Sequence, residues 1–408
     1  MTDQFVIVGA GLAGAKAAET LRAEGFAGPI ALVGSEAERP YERPPLSKGF
    51  LLGKQPRDKA FVHPEGWYAE NDVTLITGAA AVGLDTAAHT VALSDGRRLS
   101  YAKLLLATGS SPRLLEVPGA EHASYVRTLA DSERLSERFT DGAHVVIIGG
   151  GWIGLETAAA ARAKGCHVTV IEVTVLPMQR VLGAEVARLF VALHEANGVE
   201  FRTSTSVREL RGDTRVTSVV LQDGTELAAD VVVAGLGIWP NVELAAEAGL
   251  DVHNGIVTDA SLRTSDADVF ACGDVASSFN PLVGTHIRIE HWANALNGGP
   301  AAARSMLGQE VVYDRVPYFY SDQYDLGMEY AGYVEPGGYD RMVFRGAPDS
   351  GEYLAFWTSG GRVLAGMNAN IWDVQGDIQK LVRAGFAGVA VDLDRLADPT
   401  VPLADLAG

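Results

Sequence analysis

Two clusters of glycine carry the first chemical suggestion. Gly9, Gly11 and Gly14 follow the apolar run Phe5-Val6-Ile7-Val8, and Gly149, Gly151 and Gly154 follow His144-Val145-Val146-Ile147-Ile148. Each cluster opens an alanine-rich stretch that stops at a further glycine, Gly25 or Gly165, where a helix C-cap is expected. About 20 residues beyond the third glycine, each unit reaches an acid behind another apolar run. These acids are Glu36, after Ile30-Ala31-Leu32-Val33-Gly34-Ser35, and Glu172, after His167-Val168-Thr169-Val170-Ile171. The order of residue types suits a doubly charged pyrophosphate. Glycines let backbone N–H groups approach phosphate oxygens, the helix N-terminus adds positive potential, and the acid accepts hydrogen bonds from a ribose. One such cluster is weak evidence, because glycine-rich turns are common. Two complete copies in one chain make a duplicated dinucleotide-binding unit the reading to carry forward.

The elements that must position these clusters repeat as well. Leu104-Leu105-Leu106 runs into Ala107-Thr108-Gly109 and then Pro112; Val231-Val232-Val233 runs into Ala234-Gly235-Leu236-Gly237 and then Pro240. From about Val311 the texture becomes aromatic and alternating, broken by Pro336-Gly337-Gly338 and Ser359-Gly360-Gly361. That pattern predicts an antiparallel sheet with hairpin turns, closed by a helix from about Ile371 to Ala384. The expected class is α/β: two Rossmann-like dinucleotide-binding domains plus a C-terminal α+β domain. The expected boundaries are 1–112 with 241–314 for the first domain, 113–240 for the second and 315–408 for the third.

Composition narrows the function. The chain has 408 residues, 47% of them hydrophobic, and a formal net charge of −18. Such a surface repels nucleic-acid phosphates and anionic lipid, which argues against either as a partner. No apolar run reaches the length needed to cross a bilayer, and Met1-Thr2-Asp3-Gln4 lacks the basic start of a secretory signal, so a cytoplasmic home is expected. Only two cysteines occur, Cys166 and Cys272, too far apart for a C-x-x-C pair. They are expected to be buried structural residues, with no metal site.

Two dinucleotide sites in a chain of this size suggest one tightly held flavin and one exchangeable nicotinamide. A third motif, Asp268-Val269-Phe270-Ala271-Cys272-Gly273-Asp274-Val275, is a strand ending in Gly-Asp. Here the sequence resembles the two-dinucleotide flavoprotein reductases, and the resemblance implies that Asp274 hydrogen-bonds the ribityl chain of FAD. An aspartate after glycine is also a common helix N-cap.

Within that superfamily the chain resembles the FAD-dependent NADH:ferredoxin reductases, the group of the putidaredoxin and rubredoxin reductases. These serve cytochrome P450 and ring-hydroxylating oxygenase systems. The signature is Arg39-Pro40-Tyr41-Glu42-Arg43-Pro44-Pro45-Leu46-Ser47-Lys48, supported by Glu290-His291-Trp292-Ala293-Asn294-Ala295 and Ser321-Asp322-Gln323-Tyr324. The likeness implies catalytic roles for Lys48, near the flavin N5, and for Glu156, near the nicotinamide and able to pair with Lys48. It implies cofactor contacts at Arg43, Val82, Ala107, Thr108, Gly109, Arg127, Ile153, Gly237, Trp292 and Ala293. By composition alone Lys48 would be a solvated lysine and Glu156 an exposed helix residue. One departure stands out, because Tyr320 occupies a position where the family usually has tryptophan. The segment Asn368-Ala369-Asn370-Ile371-Trp372-Asp373 also departs from the commonest form, and no role is assigned to it.

NADH is the expected donor, since Glu172 suits a 2′-hydroxyl and repels a 2′-phosphate. Val173-Thr174-Val175-Leu176-Pro177 offers no arginine for such a phosphate, and Arg180 is the nearest base. No cysteine lies between Glu36 and Cys166, which excludes the redox disulfide or single thiol of related reductases. Flavin chemistry alone remains: hydride in, electrons out one at a time, to a [2Fe-2S] ferredoxin. A transient docking patch for it is offered by Arg39, Arg43, Lys48, Lys54, Arg57 and Lys59 against Glu42 and Asp58, a local net of +4. An ordinary solvated loop is an equal reading of that patch. The expected state is a monomer or weak homodimer. A second enzyme reading is an NADH oxidase or monodehydroascorbate-type reductase with a small acceptor. A third, from another class, is a redox-dependent interaction protein like the apoptosis-inducing flavoproteins, ranked lower because their targeting segments or basic surfaces are missing.

Overall fold

The computed structural model describes residues 3–406. They form two compact units, each made of three chain segments. The first comprises residues up to Glu42, Arg57–Ser111 and Trp239–Tyr318; the second comprises Arg43–Pro56, Pro112–Ile238 and Phe319 onward.

In the first unit a five-stranded parallel sheet has the order Val269–Ala271, Lys103–Leu106, Phe5–Val8, Ile30–Val33, Val73–Ile76. Phe5–Val8 and Ile30–Val33 are buried at every position, as the unbroken apolar runs require of strands covered on both faces. The helix Leu12–Ala23 buries Ala13, Ala17, Ala18 and Leu21 in the same core as Ile7, Leu32 and Phe270. A second helix, Trp292–Met306, lies so close to it that a Cβ on Gly299 would stand 2.2 Å from the Ala13 carbonyl oxygen.

The second unit repeats the plan. Its five-stranded parallel sheet has the order Val199–Arg202, His167–Ile171, His144–Ile148, Val231–Ala234, Ala123–Ser124. The helix Trp152–Ala163 buries Ala158, Ala160 and Ala161 against Val145, Ile147, Val170 and Val233. Leu51, from the short segment Arg43–Pro56, joins this core, and the Ser132 hydroxyl donates to the Leu46 carbonyl at 2.8 Å. The C-terminal part is a five-stranded sheet in the order Tyr318–Gln323, Leu326–Gly332, Arg362–Ala369, Glu352–Ser359, Arg341–Ala347, followed by a helix. The fully buried Trp357 donates its indole N–H to the Leu182 carbonyl in the helix Gln179–Ala196 at 3.1 Å.

Two details depart from the sequence expectation. The closing helix runs Gln375–Phe386, not from Ile371, because Asn370 and Asp373 both take left-handed backbone (φ 51° and 63°) that no α-helix continues through. Each unit also contains a three-stranded antiparallel meander in addition to the expected elements. These are Ala81–Asp85, Thr90–Leu93, Arg98–Ser100 in the first and Val207–Gly212, Val216–Leu221, Glu226–Ala228 in the second. Their hairpins share an Asp-Gly turn. The Asp95 carboxylate accepts from the Arg97 amide and the Asp223 carboxylate from the Thr225 amide, while Gly96 and Gly224 have φ near +89° and +88°. Asp-Gly between apolar runs is a hairpin signal, and it was present in both halves. Among the described residues, no helix is long and apolar enough to cross a membrane.

Candidate functional site

The two glycine turns are built alike. Gly9 (φ +118°) would place a Cβ 2.0 Å from the Ala107 carbonyl oxygen, and Gly149 (φ +100°) would place one 2.4 Å from that of Gly235. The small residues after Leu106 and Val233 therefore serve the same end: one strand's backbone passes against the glycine of the next. The middle glycines differ, since a Cβ on Gly11 or Gly151 meets nothing within 4 Å. The helices they open, Leu12–Ala23 and Trp152–Ala163, have no side-chain cap on their first turns. Open space in front of an uncapped helix N-terminus is what a pyrophosphate requires, so each turn fits one dinucleotide.

The acids are held by their own units. In the first, Glu36 accepts the phenolic proton of Tyr41. In the second, Glu172 accepts from the Gly150 amide at 2.8 Å through one oxygen and from the Thr174 amide and hydroxyl, both at 2.9 Å, through the other. That carboxylate is oriented before any ligand arrives. Ile153, half exposed on the first turn of the second glycine helix, and Gly237 (φ +89°), whose carbonyl takes the Arg113 amide at 2.9 Å, lie in the same unit.

In the first unit the Asp274 carboxylate accepts from Ser110 at 2.8 Å, and Gly273–Val275 is a three-residue 3-10 turn, so no α-helix is capped there. Thr108 is locked to Asn241 by reciprocal bonds of 2.8 Å, and Gly109 (φ +67°) accepts the Asn241 amide at 3.0 Å. Trp292 and Ala293 open the helix Trp292–Met306. Val82 is exposed on the strand Ala81–Asp85.

The second unit assembles the charged pair. Lys48 Nζ lies 2.7 Å from Glu156 Oε2, with Glu156 only 5% exposed. Ser47 also donates to Oε2, and Ser321 donates to Oε1 at 2.7 Å. The ammonium sits 5.7 Å from the centroid of the Tyr320 ring, within cation–π range. Arg43 donates to the Arg127 carbonyl, while the Arg127 amide contacts the Asp131 carboxylate that closes the capping box of the helix Leu129–Arg138. Ser47 and Ser321 had no assigned role in the sequence; both lay inside segments singled out for other residues.

The positive patch is smaller than its sequence count. Arg57 is paired with Glu38 at 2.7 Å, one residue outside the counted segment, and Arg39 stacks on the Phe61 ring at 3.5 Å. With Arg43 and Lys48 turned to the partners above, Lys54 and Lys59 are the exposed cations of that segment without such a described pairing. Both cysteines are buried; burial alone pushes the Cys272 thiol up to about 12 and is the main cause raising Cys166.

Residues 3–299 match the family model of pyridine nucleotide-disulphide oxidoreductases, and residues 318–407 match the reductase C-terminal model. The chain is 43% identical to the ferredoxin–NAD(+) reductase component of the anthranilate 1,2-dioxygenase system of Burkholderia cepacia, over 98% of either chain. It is similar to the solved covalent putidaredoxin reductase–putidaredoxin complex (TM-score 0.92, 38% identity, 98% of this chain and 97% of the other). It is similar also to the ferredoxin reductase for the CYP199A2 system from Rhodopseudomonas palustris (TM-score 0.94, 35% identity, 100% of each). With two pyrophosphate-fitting glycine turns, two preset acids and this coverage, the chain belongs to the pyridine nucleotide-disulphide oxidoreductase family.

Proposed function

We propose that this protein is an FAD-dependent NADH:ferredoxin reductase that takes hydride from NADH and delivers single electrons to a [2Fe-2S] ferredoxin feeding a cytochrome P450 or ring-hydroxylating oxygenase. The observation that carries this is the presence of two dinucleotide turns in a chain whose two cysteines are both buried, which leaves no thiol for disulfide exchange. The relatives named above are reductases of dioxygenase, P450 and putidaredoxin systems, which supports a ferredoxin acceptor.

Bound FAD supplies the hydride acceptor and one-electron donor. The chain's residues bind, orient and hold charge. Gly9, Gly11 and Gly14 shape the turn that lets backbone amides at the helix start approach one pyrophosphate, the Gly9 amide itself being held by the Val33 carbonyl, with Glu36 on its ribose; Asp274, Thr108, Gly109, Ala107, Val82, Arg43, Arg127, Trp292 and Ala293 complete that site. Gly149, Gly151 and Gly154 take the NADH pyrophosphate, Glu172 its adenosine ribose, and Ile153 and Gly237 flank it. Lys48 is the cation for the reducible edge of the flavin, held in place by Glu156, which also faces the nicotinamide. We assign 1–112 and 241–314 to FAD, 113–240 to NADH and 315–408 to the C-terminal domain. The enzyme works in the cytoplasm as a monomer or weak homodimer, with ferredoxin docking transiently through charge.

NADH-driven cytochrome c reduction, with and without an added [2Fe-2S] ferredoxin, tests the proposal. Strong dependence on ferredoxin is expected. Rapid turnover without it, with matching oxygen uptake, would replace this function with an oxidase or small-acceptor reductase.

A further inference from the structure

The Lys48–Glu156 pair is the end of a buried polar chain that the proposed reaction does not by itself require. Ser321 donates to Glu156 Oε1 at 2.7 Å, and Gln323 Nε2 donates to the Ser321 hydroxyl at 3.1 Å. His194 Nε2 lies 2.7 Å from Gln323 Oε1, and the Tyr324 hydroxyl lies 3.2 Å from His194 Nδ1. Ser321 and Gln323 are each 1% exposed and His194 is fully buried. A polar chain at this depth is retained only if every member is satisfied, because a half-made network costs more than an apolar core.

The carboxylate sets the direction of every bond. Glu156, bridged to the Lys48 ammonium, has only acceptor atoms, so the Ser321 hydroxyl must donate to it. The Ser321 oxygen then receives the Gln323 amide N–H, which turns Gln323 Oε1 toward His194. That oxygen needs a donor, so Nε2 carries the imidazole proton and Nδ1 accepts from Tyr324. Burial holds the His194 imidazole down at about 4, so at neutral pH it has one N–H and the direction is unique. Tyr324 itself has left-handed backbone (φ 57°), where glycine or asparagine is the ordinary choice, and this turn brings its ring to 5.1 Å from the His194 ring. A bulky residue in that conformation carries strain that surrounding contacts must hold.

We propose that His194 is a positioning residue for hydride transfer: its neutral Nε2–H tautomer, acting through Gln323 and Ser321, orients the Glu156 carboxylate that holds Lys48. The proposal rests on the assignment of Lys48 and Glu156 to the reducing step made above. His194 touches neither of them directly. Its effect is transmitted because each link has one donor arrangement compatible with the next.

The test uses holoenzyme labelled with ring-15N histidine and two variants of matched size. His194→Leu removes the donor, whereas His194→Gln restores an N–H at the Nε2 position; the loss of ring packing is common to both. Long-range proton–nitrogen spectra, with the His194 signals assigned by their loss in the variants, should show Nε2–H and a bare Nδ1 at pH 7. Bleaching of the flavin by saturating NADH should slow roughly tenfold in His194→Leu and recover to within about twofold of wild type in His194→Gln, the size of one lost orienting hydrogen bond. Ser321→Ala breaks the chain one link nearer Glu156 and should give the same loss if His194→Leu does not fold. An Nδ1–H or doubly protonated ring, or variants as fast as wild type, overturns the inference and leaves the reductase reading standing. Wild-type enzyme that NADH does not bleach overturns that reading first, and the inference with it.

Discussion

Glu172 Oε2 lies 2.8 Å from the Gly150 amide nitrogen, inside the glycine turn of the second unit. The turn and the Glu172 carboxylate are thus one hydrogen-bonded device. With NADH bound as proposed, the carboxylate would need no reorientation, and NADPH would place a phosphate against it. The wild-type kcat/KM should favour NADH by at least about a hundredfold, and Glu172→Gln should cut that ratio by about tenfold, near 1.4 kcal/mol. Equal steady-state kcat/KM values for the two donors would remove Glu172 from donor choice.

Removing Lys48 leaves Glu156 buried with hydroxyl donors but without its cation. Lys48→Ala should retain FAD, lower stability by about 1–3 kcal/mol, and slow flavin reduction by NADH in stopped-flow measurements. A reduction rate equal to wild type would take Lys48 out of the mechanism.

Lys54 and Lys59 are exposed, whereas Arg57 already answers to Glu38. The double substitution Lys54→Glu and Lys59→Glu should therefore raise the KM for ferredoxin more than Arg57→Glu does. The increase should shrink as salt is raised toward 0.5 M, while the KM for NADH stays constant. A salt-independent KM would move docking to another face.

His194 gives stability a pH dependence whose sign follows from its burial. In the unfolded chain the imidazole takes a proton below about 6.5, while in the folded protein it stays neutral until about 4. The unfolded state therefore binds more protons across that window, and stability falls as pH drops from 6.5 to 4. The His194 share of that loss is about 3 kcal/mol, and His194→Gln should lessen the slope of a urea-denaturation pH series by that share, leaving the part due to the buried His291, likewise held down at about 4. A slope unchanged in His194→Gln would mean that His194 is protonated when folded.

What was legible in the chain depended on whether its cause was local. The glycine–acid units could be identified because backbone approach at Gly9 and Gly149 forbids any side chain, and that constraint is written in adjacent residues. The meanders are equally local, announced by Asp95-Gly96 and Asp223-Gly224. The start of the helix Gln375–Phe386 is not legible, because apolar periodicity does not reveal the left-handed Asn370 and Asp373. The surroundings of Glu156 were of another kind. Ser47 and Ser321 stand 109 and 165 positions from it, so no spacing could announce them. Only the family resemblance put Lys48 beside Glu156, and nothing in the chain pointed to His194.

The seating of Gly299 against Ala13 has a consequence for synthesis. Translation delivers the helix Leu12–Ala23 early and its covering helix Trp292–Met306 some 286 residues later. At roughly 5–20 residues per second the nascent chain carries that bare alanine face for on the order of 15–60 s, a window in which a chaperone or an aggregate can reach it first. A chain cut short before Trp292 lacks the helix that covers this face.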